Sequence, residues 1–349
     1  MRSGGIPECN TRNVLLYLIP IPGNNRLLTI MHILIVDSSQ IPVSTYGGTQ
    51  RMVYWLGKEL VRQGHKVTFL VEKGSECPFA DVSVLNEEEP LNDQIPSDVN
   101  IVHAHFPVRE ALDAPFMVTI HGNGNPGNPF DINTVFVSRD HAIRHGSEQF
   151  VYNGLDFEDY GTPDLSNSRE FLLFIGKPGI RYKNLKDAKK IVRRAGEKLA
   201  VMGGKRLSFN PHILYQGKVG GEEKNRLLQR SKGLIFPVRW HEPFGLAAIE
   251  SLYFGSPVIG TPYGALPELI TDGMGFLSNS RSELVEAVQN LSDYDRRTCH
   301  EYVRAHFSIR RTARDYLDLY ERVINGQDLN PRRPVRLASK RSGLLPMAR

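Results

Sequence analysis

Cysteine is scarce in this chain, and the three that occur, Cys9, Cys77 and Cys299, are odd in number and far apart. Their spacing suits neither a disulfide framework nor a zinc site, and it fits a reducing cytoplasm. A membrane span is missing too. The apolar run Val14 to Pro22 is too short to cross a bilayer, contains two prolines and lacks the small-residue cleavage pattern of a signal peptide. No short-period repeat occurs, which argues against a solenoid. A basic body is also lacking. The net charge of +5 is matched by the stretch from Asp328 onward, where Arg332, Arg333, Arg336, Lys340, Arg341 and Arg349 face one acid. Nucleic acid is therefore not an implied partner. Residues 326–349, rich in Pro, Ser and Gly and without apolar periodicity, read as a disordered basic tail. It is expected to be a solvated terminus, with peripheral contact to an anionic membrane as the alternative.

What is present is a chain of 349 residues, too long for one ordinary core and suited to two domains of about 120 to 180 residues. Residues 1–30 read as a leader, disordered or added by an upstream start, because a clean strand begins at Met31. From there the chain reads HILIVD, TYGGTQ, a helix with Val53, Leu56, Leu60 and Val61 on one face, and KVTFLV after Gly64. This is a βαβ unit, which calls for parallel strands and a right-handed crossover. Short apolar strands follow at Val99 to Ala104, Phe116 to Ile120, Thr134 to Val137 and around Val151, so one α/β domain spans 31–156. Residues 157–168 are polar and turn-forming and read as a linker. A second strand-helix series spans 169–308 and a terminal helix 309–325. The fold class expected is α/β, with two doubly wound Rossmann-like domains.

The densest stretch is WHEPFGLAAIESLYFGSPVIGTPYGALPE. A strand ends at Pro237 and a helix is expected to start near Phe244 and Gly245, so the N–H groups of Phe244, Gly245 and Leu246 lie in its first turn. The helix dipole adds positive potential there, and Gly245 allows close approach of a phosphate. Glu242 lies just before this turn and Glu250 two turns later, bracketing the phosphate position. Glu250 suits the vicinal hydroxyls of a ribose and Glu242 the hydroxyls of a sugar. The plainer reading is an N-terminal acid favoured by the dipole and an exposed helix glutamate.

This stretch resembles the Glu-x7-Glu signature of the retaining glycosyltransferases of family 4, which have the GT-B fold. Further likenesses are YGGTQRMVYWLGKEL, GHKVTFL, IVHAHFP, TIHG, VFVS, FIGKPGIRYKNL and YNGLD, in the expected order over most of residues 31–325. The resemblance implies two domains facing across a cleft, with acceptor recognition in the first and nucleotide-sugar binding in the second. It sets Gly47 and Gly48 against the donor phosphates, where only small residues are expected to fit. It makes Lys177 and Lys183 the cations that neutralise the diphosphate, although the family more often has arginine where Lys177 stands. His121 is set at the cleft floor beside the anomeric carbon, whereas His103 and His105 read as structural or as supporting groups one layer behind the site.

The function implied is metal-independent, retaining transfer from a nucleoside-diphosphate sugar to an acceptor hydroxyl, with no cofactor. The setting suggested is cell-surface glycan or glycoconjugate synthesis. His121, Lys183 and Glu242 carry the catalysis. The acceptor stays open: a glycan, a lipid-linked molecule or a small molecule. Little helical sequence separates IVHAHFP from TIHG, so the acceptor-side domain is shorter than the family leads one to expect. Two other classes remain: a GT-B phosphorylase or epimerase, and a non-catalytic nucleotide-sugar-binding partner subunit. A dinucleotide dehydrogenase is disfavoured because TYGGTQ lacks the three-glycine fingerprint.

Overall fold

The computed structural model describes residues 30–43, 47–204, 210–337 and 343–348. The expected leader therefore lies outside the described residues except for Ile30. In the N-terminal domain β1 (His32–Val36), α1 (Gly48–Arg62), β2 (Lys66–Val71) and β3 (Asp81–Val84) are followed by β4 (Ile101–Ala104), β5 (Phe116–Ile120), β6 (Thr134–Phe136) and the short α2 (Arg139–Ile143). The six strands are parallel, in the order β3-β2-β1-β4-β5-β6. The order reverses beside β1, so the carboxyl ends of β1 and β4 flank a topological switch point, where open α/β sheets bind ligands.

The 157–168 segment is not a plain linker: it holds α3 (Phe157–Tyr160), capped by the Asp156 carboxylate on Glu158 N. The second domain contains β7 (Phe171–Ile175), α4 (Leu185–Arg194), β8 (Leu199–Met202), β9 (Ile213–Gly217), α5 (Gly221–Gln229), β10 (Ser231–Phe236) and α6 (Leu246–Tyr253). It continues through β11 (Val258–Gly260), α7 (Leu266–Leu269), β12 (Gly275–Leu277), α8 (Arg281–Gln289) and α9 (Arg296–His306). Its six parallel strands run β12-β11-β10-β7-β8-β9. The two chain passes between the domains are bonded to each other, Leu155 N to Phe307 O at 2.8 Å and Ile309 N to Leu155 O at 2.9 Å.

The last helix, α10 (Ile309–Ile324), belongs to the N-terminal domain. Its apolar stripe, including Ile309, Ala313, Tyr316, Tyr320 and Val323, is buried, and it packs on α1 and β5. On the opposite face of the sheet, the crossovers from β4 to β5 and from β5 to β6 contain no helix, which accounts for the shortness of this domain in the sequence.

The expectation of a disordered tail is corrected where the tail is described. Leu329 and Asn330 are buried, and Asn330 Nδ2 donates to Ile132 O at 2.7 Å and Thr134 O at 2.8 Å. Val335 bridges Pro129, while Leu345 N and Ala348 N bond to Arg239 O and Asn279 O in the other domain. Hydrogen-bonded backbone and a few anchors hold this segment, so it carries none of the periodicity from which a helix or strand is read. Lys340, Arg341 and Arg349 lie outside the described residues. No described helix is long and apolar enough to cross a membrane.

Candidate active site

Two adjoining cavities of about 180 and 220 Å³ lie between the domains and share Gly48, Lys183, Glu242, Gly245 and Leu246. Glu250 lines the first and His121 the second, so the two ends of the candidate site are chemically distinct.

The loop after β10 positions Glu242. Its main chain bridges Gly264, and Ala265 N donates to Glu242 O at 2.9 Å. Gly264 has φ +68°, and a Cβ there would stand 2.3 Å from Glu242 N and O, so only glycine permits this approach. The Glu242 side chain is buried; its Oε2 accepts from Lys183 Nζ at 2.7 Å and from Trp240 Nε1 at 2.7 Å. Lys183 Nζ also lies 5.1 Å from the ring centres of Phe236 and Trp240. An ammonium fixed between a carboxylate and two aromatic faces is already organised for an anion in the cleft.

α6 starts at Leu246, two residues after Phe244, with Gly245 as its left-handed N-cap at φ +103°. The helical turn facing the cavity is therefore Leu246 and Ala247. Phe244 packs against Tyr152 and Phe307 and is buried, although it borders the second cavity. Ala247, which sequence reasoning missed, joins Gly245 and Leu246 in the first cavity.

Glu250 is not an exposed helix glutamate but a buried one. Its Oε1 accepts from Tyr160 OH at 2.5 Å, from Lys224 Nζ, and from Arg51 Nη1 at 3.5 Å. These donors come from α3, α5 and α1, so both domains and the segment joining them orient one carboxylate. Burial lowers the pKa of Lys224 against the opposing pull of Glu250, and burial beside Glu250 raises that of Tyr160 well above its usual value. The sequence contained a signal for Lys224: it precedes Leu227 and Leu228 by three and four residues, on the buried face of α5.

Gly47 and Gly48 border the first cavity. Among the described residues a Cβ at Gly48 would meet Leu246 Cδ2 at 3.7 Å, an ordinary van der Waals contact. Lys177 departs from the expectation: its side chain is exposed and lines neither cavity. The chain passes Gly176 and Pro178 on its way to Lys183, and of the two lysines only Lys183 reaches Glu242. His121 Nε2 lies 2.9 Å from His105 Nδ1, and burial lowers the His121 pKa to about 4. Its imidazole is neutral near pH 7 and serves as a hydrogen-bonding group. His103 is structural: fully buried, it bonds Thr119 Oγ1 at 2.8 Å and Tyr320 OH of α10 at 2.7 Å. Among the described residues no group of three or more His, Cys, Asp or Glu side chains is gathered to hold a metal ion.

Residues 170–306 match the family described as glycosyl transferases group 1. An uncharacterized 41.2 kDa protein in the cps region of Klebsiella pneumoniae is 29% identical over 117 residues, 32% of each chain. The chain matches a third or less of the length of such curated relatives. Among solved structures, the glycosyltransferase AviGT4, involved in avilamycin A biosynthesis, aligns with a TM-score of 0.73 at 21% identity, covering 85% of this chain and 98% of that one. Anabaena Alr3699/HepE in complex with UDP and glucose aligns at 0.61 with 14% identity, covering 83% and 99%. The two sheets thus form a GT-B fold, and its C-terminal domain, with Lys183, Glu242 and Glu250 inside the matched residues, carries the likeness to glycosyl transferases group 1.

Proposed function

We propose that this chain is a retaining glycosyltransferase that moves a sugar from a nucleoside-diphosphate sugar to an acceptor hydroxyl without a metal ion. The observation that carries the reading is the convergence of Lys183, Glu242, Glu250 and the first turn of α6 on one interdomain cavity. In this reading the diphosphate sits on the Leu246 and Ala247 N–H groups and Lys183, which neutralise charge as the glycosidic bond to phosphate breaks. Glu250, oriented by Tyr160, Lys224 and Arg51, holds the ribose hydroxyls. Glu242 and His121 face the transferred sugar from the second cavity. A diphosphate oxygen helps deprotonate the acceptor on the face the leaving group vacates, so no protein nucleophile is required. The UDP and glucose bound to HepE favour a nucleotide sugar as donor.

The test is a panel of UDP-, GDP-, ADP- and dTDP-sugars, assayed for binding by calorimetry and for turnover with and without EDTA. One donor should bind and turn over, with EDTA harmless and the anomeric configuration kept in the product. Turnover abolished by EDTA and restored by magnesium or manganese would remove the lysine-and-helix account of the leaving group. Binding of no nucleotide sugar would remove the reading as a whole.

A further inference from the structure

Beside the two cavities lies a polar cluster whose residues line neither of them. Asn123 is two residues beyond His121, and its Nδ2 donates to His241 O at 2.7 Å, next to Glu242. Arg336, from the C-terminal segment, donates Nη1 to Gly124 O at 2.6 Å, and Leu337 N bonds Arg144 O at 2.9 Å. Asn123 Oδ1, Arg144 Nε, His241 Nδ1 and Arg336 Nε are all buried and make no hydrogen bond to any described residue. Four unmet polar atoms at one junction are costly unless something else meets them.

The charge is as unbalanced as the hydrogen bonding. The Arg336 and Arg144 guanidiniums act on each other, and both act on His241, whose pKa burial and these neighbours lower to about 4. Among the described residues the one carboxylate at ion-pair distance from either arginine is Asp140, 3.7 Å from Arg144 Nε. Two clustered arginine forks with a single carboxylate at ion-pair distance suit a phosphate or carboxylate. Its neighbours along the chain reach two cavities: Glu242, next to His241, lines the reaction cavity, and Gly124, whose carbonyl Arg336 holds, lines a larger one of about 840 Å³ on the N-terminal domain. That cavity occupies the side of the sheet where the β4–β5 and β5–β6 crossovers lack helices. Its own charges, Arg109 and Arg333 with Glu110 and Asp131, balance, so it offers space, and the cluster supplies the preference for an anion.

We propose that Asn123, Arg144, His241 and Arg336 form an anion-binding subsite for the acceptor, which therefore carries a phosphate or carboxylate group near the hydroxyl that is glycosylated. The inference rests on the glycosyl-transfer reading for the identity of the ligand, but its first test does not need turnover. Inorganic phosphate is titrated by calorimetry into the full chain saturated with the nucleoside diphosphate that binds best, so that the donor pocket is filled. Wild type should bind phosphate. Arg336→Gln should weaken it at least about tenfold, the loss of one charge-assisted hydrogen bond, and Arg336→Lys should keep more of it because the charge remains.

The second arm compares a neutral hexose, its 6-phosphate and its uronate as acceptors. An anionic acceptor should be preferred, the better of the two naming the anion, and Arg336→Gln should raise its KM at least about tenfold with nucleoside diphosphate affinity unchanged. Failure of phosphate to bind, equal loss of nucleoside diphosphate affinity in Arg336→Gln, or transfer to neutral acceptors as efficient as to both anionic ones would each overturn the proposal. Absence of turnover with every nucleotide sugar would instead count against the transferase reading.

Discussion

Glu250→Ala is the substitution that comes first to mind for a ribose contact, and the structure says it will damage more than binding. Glu250 and Lys224 have side chains 3% and 7% exposed, and Arg51 approaches the same oxygen with 15% exposure. Removing the carboxylate leaves the buried Lys224 ammonium without the counter-charge it meets here, at a cost of roughly 3–5 kcal/mol. With about 2–4 °C of melting temperature per kcal/mol for a domain of this size, melting should fall by roughly 6–20 °C. Adding Lys224→Met removes the stranded ammonium and fills its space, so the double variant should recover about 1–3 kcal/mol relative to the sum of the single losses. Thermal melting of the four proteins measures the coupling, and calorimetry with Glu250→Gln, which keeps the side chain's shape, measures the ribose contact separately. Melting of Glu250→Ala within about 2 °C of wild type, with no coupling to Lys224, would refute the reasoning.

Lys183→Ala should lower turnover by roughly 10² with little change in donor affinity, because its contribution grows as phosphate leaves; equal losses in kcat and in ground-state binding would contradict that role. Gly264→Ala should cost about 1–3 kcal/mol in backbone strain and displace Glu242, so transfer falls more than nucleoside diphosphate affinity; a variant with wild-type stability and rate would contradict the approach at 2.3 Å. Truncation after Asn325 removes the buried Leu329 and the Asn330 hydrogen bonds and should destabilise by roughly 2–4 kcal/mol; an unchanged melting temperature would show that this docking contributes nothing. Burial lowers the pKa of His65 to about 4 and those of His103 and His141 to about 3. Between pH 6.5 and these values the unfolded chain binds protons that the folded chain does not, so their contribution is full above pH 6.5 and falls as pH drops, by up to about 1.4 kcal/mol per unit for each histidine. A melting temperature that stays level from pH 7 to 5 would contradict it.

Both Rossmann-like units could be read from the sequence because each strand and helix announces itself locally, by apolar runs and by glycine at the turns. Glu242, Glu250 and Lys183 could be picked out because they sit next to such turns. The environment of Glu250 could not, since Tyr160, Lys224 and Arg51 meet it from segments 26 to 199 residues away along the chain. Tyr160 stood in a stretch whose polar composition suggested only a linker. Lys177 differs for the opposite reason: its proximity in sequence to Lys183 implied a shared task, whereas the intervening turn leaves its side chain exposed and outside both cavities. The docking of the C-terminal segment was invisible because single anchors and backbone bonds leave no periodic trace.

The return of α10 to the first domain also sets the order in which the molecule can be completed during synthesis. The sheet that emerges first from the ribosome lacks the helix that covers β4 and β5, and His103 waits for the Tyr320 hydroxyl, 217 residues later in the chain. The second domain has all its strands and the α9 helix in hand before that hydroxyl is made. The part translated first is thus the part finished last, and a nascent chain released before α10 would expose the apolar face against which Tyr316 and Val323 should close.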